Sequence, residues 1–166
     1  MQRTVCLDTN ILMWGLLQQG KAADEIKREK SRYLIEELSK DNNIRVVIPA
    51  LILSELAVKM TESDRISFFS YMRLYFEVID FNSSAALEYP TIRTVGMELK
   101  SKELSRKEVT VDSLIVATCR AHGVNTLYSD DQKMRQIAAP FMQVEGLPVP
   151  PPIALSLLDI EAVSAD

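Results

Sequence analysis

The chain has 166 residues, 47% apolar and 25% charged, and 19 Lys and Arg against 23 Asp and Glu give a formal charge of −4. This length suits one domain that buries about two-thirds of its unfolded surface, so neither disulfides nor a structural metal are needed to hold it. The acidic balance argues against tight non-specific nucleic-acid binding, which is largely electrostatic, and no run reaches the length of about 18 apolar residues expected of a membrane span.

Arg3 to Leu7 reads as a first strand. Asp8 and Asn10 interrupt the apolar stretch and no small-residue cleavage site follows, so no signal peptide is read and the expected location is the cytoplasm. A helix follows from Thr9 through Leu12, Trp14 and Leu17, ending at Gly20, and a second covers Lys21 to Ser39. Asp41-Asn42-Asn43 is a turn, Arg45 to Ile48 a β-branched strand, and Pro49 opens a helix over Ala50 to Met60. Ser63 is taken as the N-cap of a helix reaching Phe76, and Glu77 to Asp80 as a strand. Ser83 or Ser84 caps a helical region that runs to about Glu103, broken or kinked at Pro90. Thr110 is taken as the N-cap of a helix that closes at His122-Gly123. Thr126 to Tyr128 is a strand, Asp131 to Ala138 a helix and Phe141 to Val144 a last strand. Strands alternating with helices predict an α/β protein, three layers deep, with a central, mostly parallel sheet. The domain spans residues 1–145, followed by a Pro-rich tail over 146–166, packed or flexible. Cys6 and Cys119 lie in apolar runs and read as buried reduced thiols without zinc-like spacing.

Four segments place an acid where an apolar run stops or turns: Val5-Cys6-Leu7-Asp8-Thr9-Asn10, Leu53-Ser54-Glu55-Leu56-Ala57, Val111-Asp112-Ser113-Leu114-Ile115 and Leu127-Tyr128-Ser129-Asp130-Asp131. A strand ending in Asp delivers a carboxylate to the C-terminal edge of the sheet, where open α/β sheets bind ligands. Converging carboxylates repel one another unless a cation sits among them, and a hard oxygen cage calls for Mg²⁺ or Mn²⁺. Such an ion acidifies a water and polarises a phosphoryl oxygen, the chemistry of phosphodiester hydrolysis. Each acid has a plainer reading. Asp8, Asp130 and Asp131 could cap helices, and Asp112 could complement a helix dipole.

In order and approximate spacing these segments resemble the motifs of the PIN domain, most closely the toxin ribonucleases of the VapC kind. The resemblance covers residues 1 to about 145 and implies an α/β/α fold, a divalent-metal site and endoribonuclease activity on RNA. It assigns Asp8, Glu55, Asp112 and Asp131 as catalytic, metal-binding acids, Asp131 being preferred to Asp130. Asn10, Ser129 and Asp130 stand behind them as hydrogen-bonding or accessory groups. It also implies a homodimer and a cognate protein antitoxin, often presenting an Arg to the acids.

Two rivals remain. A haloacid-dehalogenase-type phosphatase also begins with strand and Asp, but would want a second Asp where Asn10 stands. A non-catalytic metal- or protein-binding module could use the same sheet. His122, the only histidine, precedes a helix-ending Gly and suits a C-terminal dipole role. No phosphate-binding glycine loop is present. Two basic runs, Lys27-Arg28-Lys30-Arg32 and Lys100-Lys102-Arg106-Lys107, read first as solvated helix faces; the second is the one considered for guiding RNA.

Overall fold

A computed structural model describes residues 2–58, 60–99 and 106–150, with the Arg106 side chain left aside. Lys100, Lys102, the stretch to Glu103 and the tail from Pro151 lie outside the described residues.

Five strands, β1 (Arg3–Leu7), β2 (Ile44–Pro49), β3 (Glu77–Ile79), β4 (Thr126–Tyr128) and β5 (Gln143–Glu145), form one sheet in the order β3-β2-β1-β4-β5. Every neighbouring pair is parallel; Val5 registers with Val46 on one side and Thr126 on the other. Val5, Cys6, Leu7 and Leu127 are fully buried, as expected for strands covered on both faces. The described helices are α1 (Thr9–Gly15), α2 (Glu25–Lys40), α3 (Ala50–Ala57), α4 (Glu62–Tyr75), α5 (Ser83–Glu98), α6 (Arg106–Ala121) and α7 (Gln132–Ala138), with a short 3₁₀ turn at Ala22–Asp24. α1 packs on α2, while α5, α6 and α7 pack on one another, giving the three-layer α/β/α arrangement read from the sequence. No described helix is long and apolar enough to cross a membrane.

The chain runs outward through β1, β2 and β3 in one direction, then restarts at β4 beside β1 and moves the other way. This reversal opens a crevice beyond the C-terminal ends of β1 and β4.

Several boundaries differ from the sequence reading. α1 ends at Gly15, and Gly20 lies in the following loop at φ +133°, a conformation that favours glycine. The cap of α4 is Thr61, whose hydroxyl accepts from the Asp64 amide, and that of α5 is Asn82, accepting from the Ala85 amide. α5 passes through Pro90 without interruption. Pro90 and Ala86 are both exposed, so water can serve the carbonyl that loses its helical donor. α6 is already helical at Arg106, so Thr110 is not its cap. Arg106, Lys107 and Glu108 are good helix formers, and Val109 is fully buried against α5, where a Cβ on Gly96 would stand 2.9 Å from its Cγ1. Asp112 therefore lies in the second turn of α6, beyond the reach of a simple end-of-helix dipole role. Cys6 and Cys119 are buried free thiols, and burial followed by the neighbouring Cys119 pushes the Cys6 pKa upward.

Candidate active site

Asp8 is the first residue past β1, and its amide donates to the Tyr128 carbonyl, holding the two strand ends together. Its carboxylate caps α1, Oδ1 accepting from the Thr9 amide at 2.7 Å, while Oδ2 accepts from the Ser129 hydroxyl at 2.6 Å. Ser129 is fully buried; its oxygen also accepts from the Asp131 amide at 3.0 Å. Asp131 caps α7, accepting from the Lys133 amide at 2.7 Å through Oδ1. From α3, Glu55 Oε2 accepts from the Thr9 hydroxyl at 2.6 Å. The capping reading of Asp8 and Asp131 is thus correct, and it coexists with a second arrangement. Asp8, Thr9, Asn10, Glu55, Asp112, Asp131 and Met134 line one cleft of about 280 Å³.

Asp130 is not among the lining residues; its carboxylate pairs with Lys27 of α2 at 2.8 Å. Larger depressions lie elsewhere, one of about 490 Å³ along α5 from Tyr89 to Glu98 and one of about 550 Å³ beside Arg3 and Tyr33. Neither draws acids from four separate elements. Thr9 and Met134 carry no functional role in the sequence reading, where Met134 is core filler. The signal for Thr9 was its place between Asp8 and Asn10. His122 ties the end of α6 to the start of α5, its Nε2 lying 3.0 Å from the Asp80 carbonyl and 3.3 Å from Asn82 Nδ2.

The electrostatics follow from this crowding. Burial pushes the Asp8 carboxyl up to about 6, with Asp131 and Glu55 adding to the rise and the Ser129 and Thr9 hydrogen bonds opposing it. Asp112 is pushed up to about 7, first by burial, then by the charges of Asp131, Asp8, Glu55 and Glu108. These acids are held in a state that a cation would relieve.

The donor set fits a hard divalent ion in chemistry: carboxylate oxygens only, neither His nor Cys. Among the described residues no three such side chains are grouped tightly enough to enclose an ion unaided.

The acids gather at the reversal point of a parallel sheet, the edge at which open α/β sheets bind ligands. A family model for the PIN domain matches residues 5–140, and the chain belongs to that family, whose members are nucleases acting on phosphodiester bonds. Its fold is similar to that of VapBC2 from Rickettsia felis, solved bound to a DNA fragment from its promoter, at 21% identity and TM-score 0.62 over 87% of this chain and 99% of that one. It is also similar to VapBC-1 from nontypeable Haemophilus influenzae, with 17% identity, TM-score 0.59, and 87% and 98% of the two chains covered. For FitAcB from Neisseria gonorrhoeae the values are 20% identity, TM-score 0.57, and 84% and 95%. No curated protein sequence matches.

Proposed function

We propose that the protein is an endoribonuclease that uses Mg²⁺ or Mn²⁺ to hydrolyse RNA phosphodiester bonds, and that it is the toxin of a toxin–antitoxin pair. The observation that carries this reading is the meeting of Asp8, Glu55, Asp112 and Asp131 from four elements around one cleft, two of them with raised pKa values. The nuclease unit is residues 1–145, followed by the Pro-rich segment 146–166.

When bound, the ion supplies an acidified water and a positive charge on the scissile phosphate. Asp8 and Asp112 would hold it, with Asp131 and Glu55 completing the site directly or through water. The protein's part is positional. Ser129 and the Thr9 amide fix both Asp8 oxygens, so that the carboxylate faces the cleft in one orientation. The Thr9 hydroxyl holds Glu55 across the cleft. The Lys133 and Met134 amides of α7 donate to Asp131 Oδ1, leaving Oδ2 without a hydrogen bond among the described residues and open to a cation. Asn10 at the rim offers an amide to a phosphate or ribose oxygen.

The VapBC and FitAcB relatives in fold support an antitoxin partner. A basic segment from such a partner suits the acid cleft, and an Arg would pair with two carboxylate oxygens. The exposed Val58, Ile66, Leu74 and Tyr75 of the α3–α4 region support a homodimer. A cytoplasmic location accords with an RNA substrate.

The test is cleavage of a broad RNA panel by the purified protein with Mg²⁺, Mn²⁺ or EDTA. We expect cutting that EDTA abolishes and that Asp8→Asn and Asp112→Asn each slow on the order of 10³-fold, the loss of several kcal/mol of charge stabilisation. Cutting unchanged in both variants would refute the site.

A further inference from the structure

We infer that the groove between α1 and α2 is a subsite for the RNA backbone adjoining the acid cleft, in which Arg28 and Arg32 bind a phosphate. This rests on the nuclease reading above and adds the path of the substrate. The groove, about 240 Å³, is lined by Trp14, Gly15, Gln18, Glu25, Arg28, Glu29 and Arg32.

Its position is the first argument. α1 begins at the acid cleft, where Thr9 and Asn10 line it, and ends at the second groove, where Trp14 and Gly15 line that. Asn10 and Trp14 are four residues apart, hence on one face of the helix and separated by about 6 Å along its axis. A second link runs through Lys27, which reaches Asp130, the neighbour of Asp131, at 2.8 Å and lies 4.7 Å from the centre of the Trp14 ring. The two grooves are thus consecutive along one surface.

Unspent hydrogen-bonding capacity is the second argument. The Trp14 indole N–H is buried and has no acceptor among the described residues. Such a donor is destabilising unless a partner arrives. Among the described residues Arg28 makes one side-chain bond, to the Lys21 carbonyl at 3.0 Å. Neither arginine forms an ion pair with Glu25 or Glu29, although all four share the groove. Planar guanidinium groups without a carboxylate partner match the geometry of a phosphate. The ring face of Trp14 is covered by Lys27, so the groove reads the backbone and does not stack a base. Glu25 and Glu29 weaken an anion's hold, which keeps affinity low in a protein of net negative charge and makes their removal informative.

Trp14 is the only tryptophan of the chain, so its emission reports on this groove alone. The experiment uses the full chain carrying Asp112→Asn in Mg²⁺ buffer and a labelled short single-stranded RNA, checked for integrity on a gel. Polarisation gives the affinity and Trp14 emission the site. We expect emission to change on binding, Arg28→Gln with Arg32→Gln to weaken affinity at least tenfold, and Glu29→Gln to strengthen it. The double variant lowers the slope of log affinity against log salt by about 0.7, one phosphate contact on a single strand. Thermal melting establishes that each variant is folded, and Glu29→Gln tests the charge logic in a fold with both arginines intact. Binding with unchanged Trp14 emission and an affinity indifferent to all three substitutions would overturn the subsite while leaving the nuclease reading standing. Failure of the wild-type chain to cut any RNA would remove the nuclease reading itself.

Discussion

Asp130 and Asp131 are adjacent, yet one carboxylate pairs with Lys27 on α2 while the other faces the cleft and caps α7. The resemblance prefers Asp131, two residues after Ser129, but residue type and local position do not separate the two, because both precede the same helix and the partner that sets Asp130 apart, Lys27, is about a hundred residues away in the chain. Asp131→Asn is expected to abolish RNA cleavage, whereas Asp130→Asn keeps it within about threefold; its half-exposed ion pair is worth about 1 kcal/mol. Gel assays at saturating Mg²⁺ check this, and equal loss in both variants would contradict the assignment. Ser129 carries a different burden, serving Asp8 and the Asp131 amide at once from a fully buried position. Ser129→Ala leaves a buried carboxylate oxygen and an amide short of partners, at about 1–3 kcal/mol. Its hydroxyl lowers the Asp8 pKa, so removing it moves the Asp8 titration to higher pH. NMR titration of the Asp8 carboxyl carbon reads that shift whether or not the protein cuts RNA; an unmoved titration would show that the hydroxyl does not stabilise the charge.

At the scale of elements, the strands and the strand-to-acid junctions were legible because apolar β-branched runs ending in Asp have few other interpretations. Asp8 after β1 and the Ser129 to Asp131 turn after β4 fall where the run ends require. The helix ends were less legible, since Thr, Ser and Asn all cap well and the choice depends on packing. α6 starts before Thr110 because Val109 is buried against Gly96, a contact between residues far outside any local window. The basic runs show the same limit. Lys100 and Lys102 lie outside the described residues, while of the run from Lys27 to Arg32 Lys27 pairs with Asp130, and Arg28 and Arg32 line the groove where α1 packs on α2. Gly15 sets that packing: a Cβ there would stand 2.6 Å from Ile35 Cδ1 and 3.0 Å from the Ser31 backbone carbon. Ile35 can turn aside, but a helix backbone cannot. Gly15→Ala is therefore expected to lower stability by about 1–3 kcal/mol, and adding Ile35→Val to recover only part of it. Thermal or urea unfolding measures both, and a Gly15→Ala chain as stable as wild type would place α2 farther from α1.

Several negative charges meet at one sheet edge with no neutralising side chain among the described residues that line the cleft, and this ties the stability of the whole molecule to pH. Asp8 and Asp112 have pKa values of about 6 and about 7 in the fold, above the ordinary 3.8. A carboxyl whose pKa rises on folding binds its proton more tightly in the native state, so its contribution is complete below about pH 4 and is lost as pH rises through the folded value. For this pair the loss spans about pH 4 to 7. Other groups pull the opposite way: Arg45 lowers the pKa of Glu77, whose stabilisation is lost as pH falls. The total curve mixes the two, so the informative quantity is the difference between wild type and Asp112→Asn. Asparagine removes one ionisation and relieves Asp8 as well, so the variant is expected to melt above wild type at pH 8 in EDTA, with the gap shrinking or reversing towards pH 4. Mg²⁺ at pH 8 acts as the missing counter-charge. It raises the wild-type melting temperature in proportion to the logarithm of its concentration above the dissociation constant, and raises that of Asp112→Asn less. Calorimetry across this pH range decides it: a wild-type-to-variant gap independent of pH, or equal Mg²⁺ stabilisation of both chains, would mean that the acids at the sheet edge are screened by something other than a bound cation.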